Sequence, residues 1–194
     1  MALTVDLETG RRAFVDSVRE FVAAVDGLDE WSLLGSSRCY GWTRLDVVVH
    51  VVAGWQEMLG GFVSPVDGPP TVDAASYWPA FEEEEDAGDP LPALLAQRRR
   101  TTAYDRPDAV REQMHDVAEA VLRGAAGCAE GHHLWQGHVF SAGDFLAIWA
   151  VEDAIHQLDL RSDRPVPSSA LALARATVAE LGGRALVDRL DEAK

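Results

Sequence analysis

At 194 residues, 47% hydrophobic and 25% charged, the chain is long enough to bury a core as one domain and too apolar to be disordered. Its formal net charge of −15 repels phosphate over most of the surface, which argues against nucleic acid or an anionic membrane and leaves a small molecule or a protein as partner. Cys39 and Cys128, with no CxxC, suggest neither a disulfide framework nor a zinc knuckle; no apolar run reaches a membrane span and the first residues lack a signal-peptide core, so the cytoplasm is expected.

A first helix is expected over 6–25, where Phe14, Val18, Phe21, Val22 and Val25 recur at helical spacing. Residues 27–41 read as a structured connection. The second helix has a strong start signal, with Thr43 at the N-cap, Asp46 three residues on, and Trp42 able to staple onto Val47. It runs through LDVVVHVVAGWQEMLGGF to an expected stop at Gly60 and Gly61. His50 is the only ionisable residue between Asp46 and Glu57, and Gly54 one turn later leaves room beside the imidazole for a ligand or ion. A core histidine bonded to a carbonyl or an acid fits the same pattern.

Residues 64–92 read as irregular, packed down by Tyr77, Trp78 and Phe81, and the acidic run 82–86 reads as a solvated, self-repelling loop. Helices are expected over 93–104 and 107–126, with Asp105 as cap and Pro107 near the first helical position. Arg98, Arg99 and Arg100 fan around their helix, so one or two could meet an anionic substrate while the triplet as a whole reads as surface. His132, His133 and His138 fall in a Gly-rich connection and are expected to be exposed. Ser141 and Asp144 repeat the capping-box pattern before a helix over 142–161, with Phe140 and Phe145 as its staple. A last helix over 168–181 follows PVP, and the tail to 194 is read as its continuation. The sum is an antiparallel all-α bundle of four principal helices with an additional one, a single domain over 1–194 with no separate C-terminal domain.

The segment 142–161, AGDFLAIWAVEDAIHQLDLR, organises the rest. Phe145, Ile148, Trp149, Glu152, Ile155, His156, Asp159 and Leu160 form a stripe about 140° wide, as expected of a core-facing helix. A carboxylate among apolar neighbours is costly unless it is paired, hydrogen-bonded or bound to a metal. Residues at i and i+4 stand about 6 Å apart, which lets Glu152 and His156 converge on one ion. The spacing alone also suits a surface pair or a core histidine bonded to its neighbour.

CYGWTRLDVVVHVVAGW, residues 39–55, resembles the CPGWTVRDVVAHLAG signature of the mycothiol-dependent maleylpyruvate isomerase N-terminal domains, members of the DinB-like metalloenzyme superfamily. FLAIWAVEDAIHQLDL, residues 145–160, resembles the same family's ExxxHxxDL helix, and the two blocks occur in the family's order. The resemblance implies an up-down-down-up four-helix bundle holding a divalent ion, usually zinc, through His50, Glu152 and His156. Three protein ligands leave a fourth position open, as in catalytic sites, and a coordinated thiol loses its proton. The implied activity is a metal-dependent thiol transferase or isomerase that activates a small thiol, mycothiol by resemblance, as a metal thiolate for addition to an electrophilic small molecule. Asp159 would orient His156 or bind a polar substrate group. The competing readings are a metal-dependent hydrolase with Glu57 or Asp159 as base, and a non-catalytic metal-binding bundle. The full isomerases carry a further C-terminal domain, so part of the substrate or thiol enclosure here would be missing or would come from a second subunit, as in a homodimer. Family members commonly carry arginine where this chain has Trp149, which points to a more apolar pocket and a bulkier, less charged substrate.

Overall fold

The computed structural model describes residues 2–84 and 91–183. Four long helices, α1 (Leu7–Asp26), α3 (Arg44–Phe62), α6 (Pro107–Gly127) and α7 (Ala142–Asp159), form the bundle. Around it lie α2 (Glu30–Leu34), α4 (Tyr77–Glu84), α5 (Leu91–Thr101), α8 (Ser168–Val178) and an antiparallel hairpin of β1 (His132–Trp135) and β2 (His138–Ser141). A π-helical turn, Ala179–Gly183, follows α8. Helix α1 packs on α7 and α6, and α3 packs on the same two, so the four close into a ring around a shared core. The all-α bundle expected from the sequence is what forms. No helix of the described residues is long and apolar enough to cross a membrane.

The helix starts follow their cap chemistry. Asp6 accepts from the Thr9 N–H at the head of α1. At α3 the capping box is complete: Thr43 Oγ1 accepts from the Asp46 N–H at 3.1 Å and Asp46 Oδ2 accepts from the Thr43 N–H at 2.7 Å. At α7 the expected box is half made. Ser141 caps the Asp144 N–H, but the buried Asp144 carboxylate accepts from the Ser141 hydroxyl and from the Val5 N–H at 2.8 Å, tying the N-terminal strand of chain to α7 instead. Helix α3 carries Leu45, Val47, Val48, Val49, Val51 and Val52 all buried, so its N-terminal half is covered nearly all round. Tertiary burial there outweighs the weak helix propensity of a β-branched run.

Several expectations are corrected. Gly60 and Gly61 do not end α3, which continues to Phe62. A Cβ at Gly61 would lie 2.4 Å from Cζ of Phe145, so this glycine serves close approach to α7 rather than a helix stop. Arg106, not Asp105, is the N-cap of α6, without a side-chain bond, while Pro107 sits at the helix start as expected. The stretch 64–92 is not wholly irregular, because it contains α4, and residues 27–41 contain α2. The histidine-rich connection is the hairpin, whose two-residue turn Gln136-Gly137 adopts φ of 45° and 74°. Ile155, placed on the inner stripe of α7, is 41% exposed. The acidic run passes from α4 beyond the described residues, as does the tail after 183.

Helices α1 and α7 cross at glycines. A Cβ on Gly10 would fall 2.4 Å from the carbonyl oxygen of Gly143, a backbone atom that cannot swing away. Gly60, by contrast, is exposed on α3 with nothing within 4 Å. Gly10→Ala should therefore destabilise the fold by about 2 kcal/mol or more, whereas Gly60→Ala should be neutral or stabilise it by up to about 1 kcal/mol. Urea unfolding of both variants checks the contrast; equal effects would mean the crossing is not tight.

Candidate metal centre and its cavity

Mid-helix on α3, His50 faces α7 across the bundle. Its Nε2 lies 3.3 Å from Oε1 of Glu152, and Nε2 of His156 lies 3.1 Å from the same oxygen. The two imidazole rings stand nearly perpendicular with centroids 4.8 Å apart, and Trp42 packs on the outer side of His50 at 5.2 Å. The i, i+4 spacing on α7 and the N-cap that fixes the start of α3 together bring these three side chains to one point. Their ligand atoms all lie within 4.8 Å of one another.

Electrostatics bind the group. Burial works to raise the Glu152 pKa, yet hydrogen bonds from His156 and His50 hold the carboxyl well below the usual carboxylate range. Burial likewise opposes a charge on His156, but hydrogen bonds to Asp159, Cys39 and Glu152 hold its pKa well above the ordinary imidazole value. His156 Nδ1 lies 3.1 Å from Asp159 Oδ2, and the Cys39 S–H donates to that same oxygen at 3.2 Å. Asp159 therefore fixes which way the His156 ring faces. Burial works against its charge too, and the His156 and Cys39 contacts outweigh it, holding Asp159 below its ordinary value.

Two imidazole nitrogens and one carboxylate oxygen are the donor set of a catalytic zinc site. Ligand atoms about 2.05 Å from a tetrahedral ion sit about 3.3 Å apart, and the two separations onto Glu152 match that edge. The residues fit a divalent ion. A second candidate set, Cys39, His156 and Asp159, lies on the side of the His156 ring where Nδ1 meets Asp159.

A cavity of about 450 Å³ opens beside this cluster, lined by His50 and Glu152 and walled by Tyr77, Trp78, Trp135 and Trp149. The Trp135 and Trp149 rings meet at 5.1 Å, Tyr77 packs on Trp78 and Trp135, and the Tyr77 hydroxyl donates to Gln136 Oε1 at 3.0 Å. The room expected beside His50 is this cavity, which Ala53 and Gly54 also line, and the Trp149 ring packs on Gly54, where a Cβ would lie 2.8 Å from its Cζ3. The expected apolar pocket at Trp149 is present, and Trp149 is 7% exposed.

The other residues singled out in the sequence divide. Glu57 is exposed and lines the cavity but lies outside the three-ligand cluster. Arg98 donates to the Gly41 carbonyl and lies 3.5 Å from the buried Asp46; Arg99 is exposed; Arg100 lines the cavity. The histidines expected at the surface are not exposed. His133 is buried, lies with Nδ1 3.0 Å from the Gly61 carbonyl oxygen, receives the Cys128 thiol at Nε2 and stacks on Phe145. His132 and His138 are half-buried in the hairpin, and His138 meets Tyr77 edge-on at 6.1 Å. Strand alternation turns His133 and His138 to the face shared with Trp135 and Phe140, while His132 falls on the opposite face with Leu134.

Asp153 was not legible as a site residue. It is 1% exposed, with Trp55 Nε1–H donating to Oδ1 at 2.9 Å and the Ser17 hydroxyl to Oδ2 at 2.8 Å. Burial, aided by the charge of Glu152 and opposed by those two donors, leaves its pKa pushed up to about 7. The signal lay in Ser17, a polar residue inside the apolar stripe of α1, which needs a partner across the bundle. The bond of Cys39 to Asp159 joins the loop before α3 to the site.

The family model described as the mycothiol maleylpyruvate isomerase N-terminal domain matches residues 13–161. Two solved structures, both of mycothiol-dependent maleylpyruvate isomerase and one a histidine-to-alanine variant, superpose with TM-scores of 0.64 and 0.62. Each is 16% identical, with 91% of this chain and 72% of the other covered, a likeness of fold. No curated protein matches the chain.

Because Asp153 joins α1, α3 and α7, Asp153→Ala should strand two buried donors and cost about 3 kcal/mol. Asp153→Asn keeps an acceptor for Trp55 and should cost clearly less. Denaturant midpoints of the two variants decide the matter, and equal losses would show that size, not hydrogen bonding, matters at this position.

Proposed function

The chain belongs to the mycothiol maleylpyruvate isomerase N-terminal domain family, and from that footing we propose that it is a metal-dependent thiol transferase or isomerase acting on an electrophilic small molecule. The observation that carries this reading is the convergence of His50, Glu152 and His156 beside an aromatic cavity. His50, Glu152 and His156 would hold the ion, zinc by its donor chemistry. A zinc ion bound there supplies a lowered thiol pKa, so that a low-molecular-weight thiol such as mycothiol reacts as its thiolate at neutral pH.

The chain's own residues do the rest. Asp159 holds His156 by its Nδ1 and so presents Nε2 to the site. Tyr77, Trp78, Trp135 and Trp149 exclude water around the reacting carbon. In the reaction class proposed, the thiol sulfur bonds to the β-carbon of a conjugated alkene, the π pair moves toward the carbonyl, and the thiol proton ends on the α-carbon as a stable adduct. Expulsion of the sulfur before that protonation, after rotation about the former double bond, gives the isomer and returns the thiol. A hydrolytic reading would need Glu57 as base, since the Asp159 carboxylate is engaged by His156 and Cys39.

Zinc content and turnover test this directly. The purified chain should bind about one zinc, His50→Ala should lose it, and Asp159→Asn should weaken it about 10- to 100-fold. Supplied with mycothiol and a panel of conjugated alkenes, the zinc-loaded chain should consume thiol or interconvert cis and trans forms. Ester or amide hydrolysis without thiol dependence would replace this reading with the hydrolase, and a chain that binds no metal would leave a non-catalytic bundle.

A further inference from the structure

The cavity beside the cluster is built unevenly. On its apolar side stand three tryptophans and a tyrosine from three separate elements: Tyr77 and Trp78 of α4, Trp135 of β1 and Trp149 of α7. Flat aromatic surfaces at 5.1 to 5.8 Å from one another present faces and edges against which a planar ring packs better than a flexible chain. The volume, about 450 Å³, falls in the range that takes drug-sized ligands.

Its charges are fewer than the residue names suggest. Glu152 is taken by the two histidines, and Asp153 by Ser17 and Trp55. That leaves Glu57 and Arg100 as the charged groups with no such engagement. Arg100 stands at the last turn of α5, exposed, its guanidinium without a carboxylate partner among the described residues, whereas Arg98 two residues earlier is held by Gly41 and Asp46. A small aliphatic dicarboxylate would bring two anions to a wall with one unengaged cation, one unengaged carboxylate and a surplus of aromatic surface. A ring with one anion fits better on both counts.

We propose that this site takes an aryl-bearing, monoanionic ligand, its ring packed against the wall that Tyr77, Trp135 and Trp149 form and its anionic group on Arg100. Under the thiol-transfer reading the substrate is then an aromatic α,β-unsaturated carbonyl compound with one carboxylate. The name electrophile rests on that reading, whereas the recognition of ring and anion does not.

Unreactive probes keep the two separable. Quenching of tryptophan fluorescence by 4-phenylbutanoate, 4-phenylbutan-1-ol and succinate is measured on the full chain and on Arg100→Gln. The phenyl acid should bind about tenfold more tightly than the alcohol, the worth of one charge-assisted hydrogen bond, and about tenfold more tightly than succinate, which lacks the ring that packs on the aromatic wall. Arg100→Gln should erase the preference for acid over alcohol while leaving the alcohol's affinity and the melting temperature unchanged. Trp149→Leu should weaken both phenyl probes. It packs on Gly54 and could fail to fold, so the Arg100 result decides. Succinate binding as tightly as the phenyl acid, or an acid-to-alcohol ratio untouched in Arg100→Gln, would overturn the proposal. Probe binding as expected with no thiol turnover would uphold it and sink only the thiol reading.

Discussion

One carboxylate oxygen holds the molecule's functional region together. Oε1 of Glu152 is shared by an imidazole from its own helix and one from the facing helix, so a single atom sets the register of α3 against α7. A partly buried carboxylate is tolerable only with such partners, and the partners in turn need support. Asp159 and then Cys39 provide it for His156, and Trp42 backs His50. The chain of contacts runs from the loop before α3 through α7 and back to α3, closing on itself.

Two further sets of contacts keep those helices where the shared oxygen requires them. Glycines 54 and 61 of α3 receive the rings of Trp149 and Phe145, and Gly10 of α1 lies against Gly143 of α7. Asp153 draws Trp55 and Ser17 toward α7 from inside the core. Adjacent residues on one helix thus do different work: Glu152 meets the two histidines with its pKa held down, and Asp153 meets Ser17 and Trp55 with its pKa raised by burial. Environment, not residue type, separates them.

Much of this could be read in the amino-acid order, because the strongest signals were local. Caps at Thr43 and Ser141 and the i, i+4 pair on α7 depend on residues a turn apart and place the two helices, while the joining of His50 to Glu152 and His156 as one set came from the resemblance to the family. What escaped depended on contacts distant in the chain. The bond of Asp144 to Val5, the burial of Asp153 between Ser17 and Trp55, and the role of Gly61 under Phe145 are invisible to any window of a dozen residues. The hairpin was missed for another reason: its runs HHLW and HVFS are short and rich in histidine, which has no strong strand preference, while the Gln136-Gly137 turn between them carried the real signal.

The indole of Trp149 fills the notch above Gly54 and at the same time forms one wall of the ligand cavity. Spacer and wall are therefore one object. Shaving that ring to admit a larger guest would also remove the wedge that sets the distance from His50 to Glu152, while thickening Gly54 would push the ring into the guest's space. Ligand choice and donor geometry in this fold are mechanically geared, so natural drift at either residue should favour paired changes, a lighter ring accompanied by a heavier neighbour across the crossing.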